Sequence, residues 1–417
     1  MISNTSSWRE VSLEVTLNNI QQIASSIGIS RVTDITRLDK IGIPVFSSIR
    51  PGAAIGSLCV NAGKGLYPLE AKVGAYMEAF EFAMAEFSPD RFNTTITTPR
   101  KIANQPNVHF EFIDLCPVYQ VPVQPDDNIV ATKASDILTG EKIDIPAELV
   151  YSPLNIDVGQ KLFGCRTNGL CSGNTEDEAT IHGICEIIER DIEAFNYIRD
   201  ASKLVTTDAL PPAVKSLVSK IESAGFALYL RYTANVFGLP YFQAFIDEGE
   251  QVPVAISQGS GLHLSASVAA VRAITEAAQS RLSYIHGGRD DLTERSACFE
   301  KDQEWNAVTQ LRRRISDPAA GTICYSTIPD LAGMNNNTQS VLDCLMKILA
   351  DNGIEQVLKV ALAPAHYPLK ALRIIIPKLE SFNFKSKRVG PRLISLIQNN
   401  VLSCPGFSSL QDLHYMD

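Results

Sequence analysis

Apolar and polar positions alternate along this chain in two rhythms. Residues 11–28 place Leu13, Leu17, Ile20, Ala24 and Ile27 on one helical face that stops at Gly28. Strand-like runs follow at Ile43–Ser47 and Ile55–Val60. The Gly-rich stretch Asn61-Ala62-Gly63-Lys64-Gly65 reads as a turn. It leads into a helix over Pro68–Phe87, where Pro68 suits a first turn that does not use its N–H. Residues 88–175 are rich in Pro, Asp and Asn and read as loops with short strands such as Val108–Ile113. A long helix is expected over Glu176–Tyr197, capped by Asn174 or Thr175. Next come a helix at Pro212–Ala224, strands at Ala227–Tyr232, Tyr241–Ile246 and Val252–Ser257, and a helix over Ala266–Tyr284. The charged, Gly-rich Gly287–Ser296 reads as a loop or lid. Helix Ser340–Ala350 and strands Gln356–Leu362 and Leu372–Ile376 complete the mixture. There is no strong linker, short repeat or low-complexity block, so the expected fold class is one α/β unit of mixed α+β character spanning residues 1–417.

Composition narrows the function. Of 417 residues, 45% are hydrophobic and 20% charged, enough to bury a large core. The 37 basic residues are outnumbered by 46 acidic ones, which argues against nucleic-acid binding. No apolar run reaches membrane-spanning length and no secretory signal is visible, so a cytoplasmic protein away from membranes is expected. The nine cysteines are scattered without CxxC spacing and read as reduced thiols rather than a zinc site or catalytic nucleophiles. Walker A, GxGxxG, GxSxG and HExxH patterns are absent.

Three largely apolar helices carry acids. Glu78 and Glu81 share one side of the first. Glu178, His182, Glu186 and Glu189 form a single ridge on the second, with Arg190 beside it. Arg272, Glu276 and Gln279 line up on the third. Carboxylates brought together between buried helices repel one another unless a cation sits among them. Oxygen ligands without Cys or His suit Mg²⁺, an ion that usually arrives with phosphates. The competing reading is three solvated polar faces. Lys64, between two glycines, offers a point charge to a phosphate or is simply part of a turn.

These residues resemble the motifs of the YcaO-domain family. Asn61-Ala62-Gly63-Lys64-Gly65 is similar to its S/N-x-G-K-G turn, and Gly74 to Glu81 to its S-x-x-x-E-x-x-E motif. Asn174 with Glu178 and Glu186-Ile187-Ile188-Glu189-Arg190-Asp191 resemble N-x-x-x-E and E-x-x-E-R. Arg272 to Glu276 and Gln279-Ser280-Arg281 resemble the last block. The likeness covers roughly residues 31–285 as a motif-bearing core and more weakly a C-terminal α/β portion over 297–417.

The resemblance implies a YcaO-type fold, with mixed sheets and carboxylate-bearing helices around a site for ATP and Mg²⁺. By position, Glu78, Glu81, Glu178, Glu186, Glu189 and Glu276 become metal ligands. Lys64, Gly74, Glu78, Asn174, Glu178, Arg190 and Arg272 become nucleotide contacts, and Arg190 and Gln279 the catalytic pair. The implied chemistry is O-phosphorylation of a peptide amide by ATP after a nucleophile has added to the amide carbon. Loss of phosphate then gives an azoline, a thioamide or an amidine. The implied partners are a precursor peptide or protein and a TfuA-like or E1-like protein, with a homodimer left open. Gly74 stands where the family has serine, and the C-terminus lacks a Pro-rich tail. Stand-alone chains of this length resemble the thioamide-forming type that works with TfuA. The alternatives are a catalytically degenerate scaffold that binds peptides and a ligase for a small acid. Substrate peptide is expected to add to strand edges at Tyr241–Ile246 or Val252–Ser257, near the loop Gly287–Ser296.

Overall fold

The computed structural model describes residues 7–249, 255–288, 302–334 and 337–403. Three sheets organise them. The first is antiparallel, β1 (Arg31–Asp34), β2 (Val45–Ile49) and β3 (Val60–Lys64) in that order, with α1 (Leu13–Ile23) and α2 (Pro68–Ala85) packed against one another. The second sheet gathers β4 (Thr95–Thr97), β5 (Ile129–Asp136), β6 (Lys142–Pro146) and β7 (Leu170–Gly173). The short α3 (Pro99–Ala103) lies between β4 and β5, and α4 (Glu176–Ile198) follows β7. The third sheet takes β8 (Lys203–Thr206), β9 (Ala227–Tyr232), β10 (Tyr241–Asp247) and β11 (Ile256–Leu262), with α5 (Pro212–Ser223) and α6 (Ala266–His286) against it.

The C-terminal part does not stand apart. After α7 (Asp302–Ser316), β12 (Thr322–Cys324) joins the third sheet in parallel with β8. After α8 (Thr338–Asp351), β13 (Leu358–Ala361) and β14 (Lys370–Ile375) enter the second sheet between β5 and β7, and α9 (Pro391–Ser403) is the last described element. Mixed sheets with helices on them match the expected α/β class.

Three large cores join the layers, and the second sheet contributes to two of them. Phe80, Val73 and Met77 of α2 pack with Ile102, Ile129 and Ile143. Ile184, Ile188 and Ile192 of α4 pack with Ile374 and with Leu345 of α8. Ala269, Ala273 and Ala277 of α6 meet Phe242 and Ala244 of β10. A fully buried side chain such as Phe80 contributes about 2 kcal/mol.

The differences from the sequence reading are local. Asn61–Lys64 is strand β3, not a turn, and Ile55–Ser57 is a turn, not a strand. Small residues mark this strand because a helix closes onto it. A Cβ at Gly63 would sit on the backbone of Ala71 and Ala75 in α2. Val108–Ile113 forms no strand, and its end enters a 3₁₀ turn at Phe112–Leu115. The strand expected at Val252–Ser257 begins at Ile256 and runs on to Leu262, and residues 252–254 lie outside the described residues. Of the loop Gly287–Ser296 only Gly287 and Gly288 are described, and Gly287 ends α6 with φ 64°. Thr175, not Asn174, caps α4, its hydroxyl accepting from Glu178 N. No described helix is long and apolar enough to cross a membrane.

Candidate active site

Three consecutive strand–helix pairs, β3–α2, β7–α4 and β11–α6, build the site. In each, a short connection folds the helix back along its strand. Side chains from each helix then reach the strand of the next pair. Ser172 Oγ of β7 donates to Glu81 of α2 at 2.6 Å. Glu189 of α4 accepts from Ser260 Oγ at 2.8 Å and from Leu262 N at 2.9 Å, both in β11. Glu276 of α6 pairs with Lys64 of β3, and Gln279 Nε2 donates to Ala62 O at 2.9 Å. Glu78 accepts from Ala62 N at 3.0 Å within its own pair. The three units therefore interlock as a ring.

At the centre of the ring lies a cleft of about 950 Å³. Glu78, Glu81, Glu186, Glu189 and Glu276 line it, as do Lys64, Gly74, Arg190, Arg272 and Gln279. Ten of the twelve sequence candidates thus meet. Glu178 and Asn174 stand back from it. Asn174 Nδ2 lies 3.1 Å from both Glu178 oxygens, and Glu178 accepts from Glu10 N at 3.3 Å. Lys64 reaches the cleft from a strand, so no glycine turn presents it.

The electrostatics are those of an incomplete site. Burial pushes Glu81 up to about 8 and Glu186 up to about 7, and Glu186 raises Glu81 further. Glu186 has no hydrogen bond or ion pair among the described residues. Burial also raises Glu189. Burial alone would raise Glu276 too, but Lys64 and Arg190 outweigh it and hold the carboxyl low. Burial would push the Arg190 guanidinium down. Glu193, Glu189, Glu276 and Glu186 prevail and keep it charged, with Glu193 at 2.8 Å.

Three residues the sequence reading missed come from before α1. Trp8 is buried edge-on against His263, ring centroids 4.9 Å apart, and Glu10 binds Thr338 of α8. This strap delivers Arg9 to the cleft, where its Nε, like Arg272 Nε, is buried without a partner among the described residues, and so is Asn174 Oδ1 behind the cleft. A single arginine in a polar N-terminal stretch carries no pattern that could have marked it. Glu70 also lines the cleft, but it holds Leu66 N at 2.7 Å at the start of α2. His263 Nδ1 accepts from Ser265 N at 3.0 Å, and burial pushes it down to about 3, so it serves the turn before α6. Cys171 donates to Leu372 O, and burial pushes its thiol well up, which suits packing rather than nucleophilic attack.

Mg²⁺ and a polyphosphate fit this donor set. Among the described residues no group of three acids or imidazoles forms a ready-made metal site. Mg²⁺ rarely uses an all-protein cage, taking one or two carboxylates with phosphate oxygens and water. Glu81 and Glu186 need positive charge, while the buried Nε atoms of Arg9 and Arg272 need acceptors.

Comparison with known proteins agrees. A family model described as YcaO cyclodehydratase, ATP- and Mg²⁺-binding, matches residues 62–380. An uncharacterized protein of Methanothermobacter thermautotrophicus is 33% identical over 89% of this chain and 95% of its own. A protein of Rhizobium leguminosarum bv. trifolii, described as lying in the tfuA 3' region, is 29% identical over 89% of this chain and 88% of its own. The structure of YcaO from Methanopyrus kandleri bound with AMPPCP and Mg²⁺ superposes with a TM-score of 0.72 at 22% identity, covering 93% of this chain and 96% of that one. Together with a carboxylate cleft built to hold Mg²⁺ and phosphate, these matches show that the chain belongs to the YcaO cyclodehydratase family, which binds ATP and Mg²⁺.

Proposed function

We propose that this chain uses ATP and Mg²⁺ to activate a backbone amide in a ribosomally made peptide or protein, leading to a thioamide or an azoline. The observation that carries the reading is the pairing of Glu81 and Glu186 in one cleft. Both are partly buried on its wall, and among the described residues neither faces a cation close enough to restore ordinary acidity. Glu78, Glu81, Glu186, Glu189 and Glu276 are assigned to metal. Arg9, Lys64 and Arg272 are assigned to phosphate and nucleotide, and Gly74 to the floor beneath them. Glu178 and Asn174 act from behind by holding the strap that carries Arg9.

When bound, Mg²⁺-ATP supplies the phosphoryl group that turns an amide oxygen into a leaving group. The chain's own residues supply position and charge. Arg190, held between Glu189 and Glu193, presents a fixed guanidinium to the developing negative charge. Gln279, anchored on Ala62 O, keeps α6 and β3 in register so that Lys64 and Glu276 face the same space. The Rhizobium relative beside a tfuA gene supports the thioamide branch with a TfuA-like partner, and the family description supports the azoline branch.

The test is phosphate release with a candidate precursor peptide, followed by mass spectrometry of the peptide. A loss of about 18 mass units marks cyclodehydration, and a gain of about 16 marks oxygen replaced by sulfur, by atom counting. Full activity on a free amino acid with no peptide present would overturn the reading.

A further inference from the structure

Three arginine side chains of the cleft have no hydrogen-bond partner among the described residues: Arg9, Arg272 and Arg166. Arg9 and Arg272 act on one another and belong to the nucleotide end. Arg166 is different. It comes from the segment before β7, between Cys165 and Thr167, and all three line the cleft. Burial lowers its basicity, and among the described residues no ion pair ties it to a carboxylate of the cleft.

Its backbone is nonetheless firmly held. Leu170 N donates to Thr167 O at 2.8 Å, and Arg373 Nη1 donates to Asn168 O at 2.9 Å. Leu154 N donates to Cys165 Sγ at 3.2 Å. A well-anchored segment thus carries a half-buried guanidinium with no hydrogen-bond partner among the described residues, in a chain of net charge -9 that has many carboxylates to pair with it. A guanidinium fork matches the two oxygens of a carboxylate or phosphate.

We propose that Arg166 is a second anion site of this cleft, separate from the Mg²⁺ cluster, and that it takes one oxyanion of the reaction. The source is either a carboxylate carried by the acceptor peptide beside the reacting amide, or the inorganic phosphate that the reaction forms. This rests on the reading of the cleft as an amide-activating Mg²⁺-ATP site.

The experiment is calorimetry on the full chain saturated with Mg²⁺-ADP. Inorganic phosphate is titrated first. The acetylated, amidated pentapeptide Gly-Gly-Asp-Gly-Gly and its Asn counterpart follow, each against wild type, Arg166→Gln and Arg166→Lys. One anion is expected to bind wild type and to weaken on the order of tenfold or more in Arg166→Gln, with Arg166→Lys between. Mg²⁺-ADP affinity should be alike in all three. Weakened phosphate binding identifies the product as the source. Binding of the Asp peptide over the Asn peptide, lost in the variant, identifies the acceptor's carboxylate. The inference is overturned if wild type binds neither anion, if Arg166→Gln changes nothing, or if Mg²⁺-ADP affinity falls in step. Failure of wild type to bind Mg²⁺-ADP at all overturns the functional reading and this inference with it.

Discussion

Glu189 and Glu276 face the same cleft but are held differently, and their amides should behave differently. Glu276 pairs with Lys64, and both side chains are about a quarter exposed, so Glu276→Gln should leave thermal stability nearly unchanged. Glu189 is buried and accepts two hydrogen bonds from β11, so Glu189→Gln must set an amide N–H against one donor and should cost about 1–3 kcal/mol. Both should lose most phosphate release. Melting curves and a phosphate assay check this, and equal destabilisation by the two would show that Glu276 is structural. Relief of like-charge repulsion by itself would spare both; the two β11 donors change that for Glu189. Glu81 and Glu186 carry a pH signature. Their folded values, about 8 and about 7, lie above those of an ordinary carboxyl, so the folded chain keeps protons that the unfolded chain has lost. That stability is present in acid and is lost as pH rises through about 7 to 8. The metal-free protein should therefore melt several degrees lower at about pH 9 than at about pH 6.5, and Mg²⁺ with a non-hydrolysable ATP analogue should remove most of the fall. Melting in chelator at both pH values decides it.

At the scale of elements, two contacts hold the ring of strand–helix pairs. Gly63 lets α2 lie on β3, and a Cβ at Gly74 would stand 3.3 Å from the Gly63 Cα. Gly63→Ala should cost about 1–3 kcal/mol or more by forcing α2 away, and should raise the nucleotide Kd because Glu78 and Lys64 move apart. Denaturant unfolding with nucleotide titration checks both effects. Gly74, where the family has serine, thus sits at the same close approach. Trp8 is the second contact. Trp8→Ala should weaken Mg²⁺-ATP binding more than Trp8→Phe, since an aromatic ring against His263 helps fix the strap that carries Arg9. Equal affinities in the two variants would remove Arg9 from the site. None of this interlocking shows as a sequence repeat. What the three pairs share is backbone approach and helix placement, which different residues satisfy.

For the whole molecule, six carboxylates lining one cleft should not admit a polyphosphate of the same sign without a cation. Calorimetry with ATP should show binding with Mg²⁺ and its loss in excess chelator; equal affinity would sink the metal assignment. The peptide's place also depends on the whole. β10 lies between β9 and β11, so the run Tyr241–Ile246 offers no free edge. β11 is at the end of its sheet, but α6 packs along it. We propose the full chain as a single unit, since β12, β13 and β14 from beyond residue 297 complete sheets begun far upstream.

The sequence by itself determined the helices that carry the acids and the order of the motifs. Helical spacing puts Glu78 with Glu81, and Glu186 with Glu189, on one face whatever surrounds them, and the residue types already favour Mg²⁺. Strands with small residues were harder to read. Asn61–Lys64 and Gln258–Leu262 look like turns because their glycines are there for a packed helix, and only the packing shows it. The tertiary structure alone decided which carboxylates meet. Glu178 shares a helical ridge with Glu186 but is turned to Asn174 and the N-terminal strap, while Arg9 and Arg166 arrive from segments without periodicity. A ridge on one helix fixes direction within that helix, but a cleft between three helices depends on how they cross, and that is set by long-range contacts no local pattern encodes.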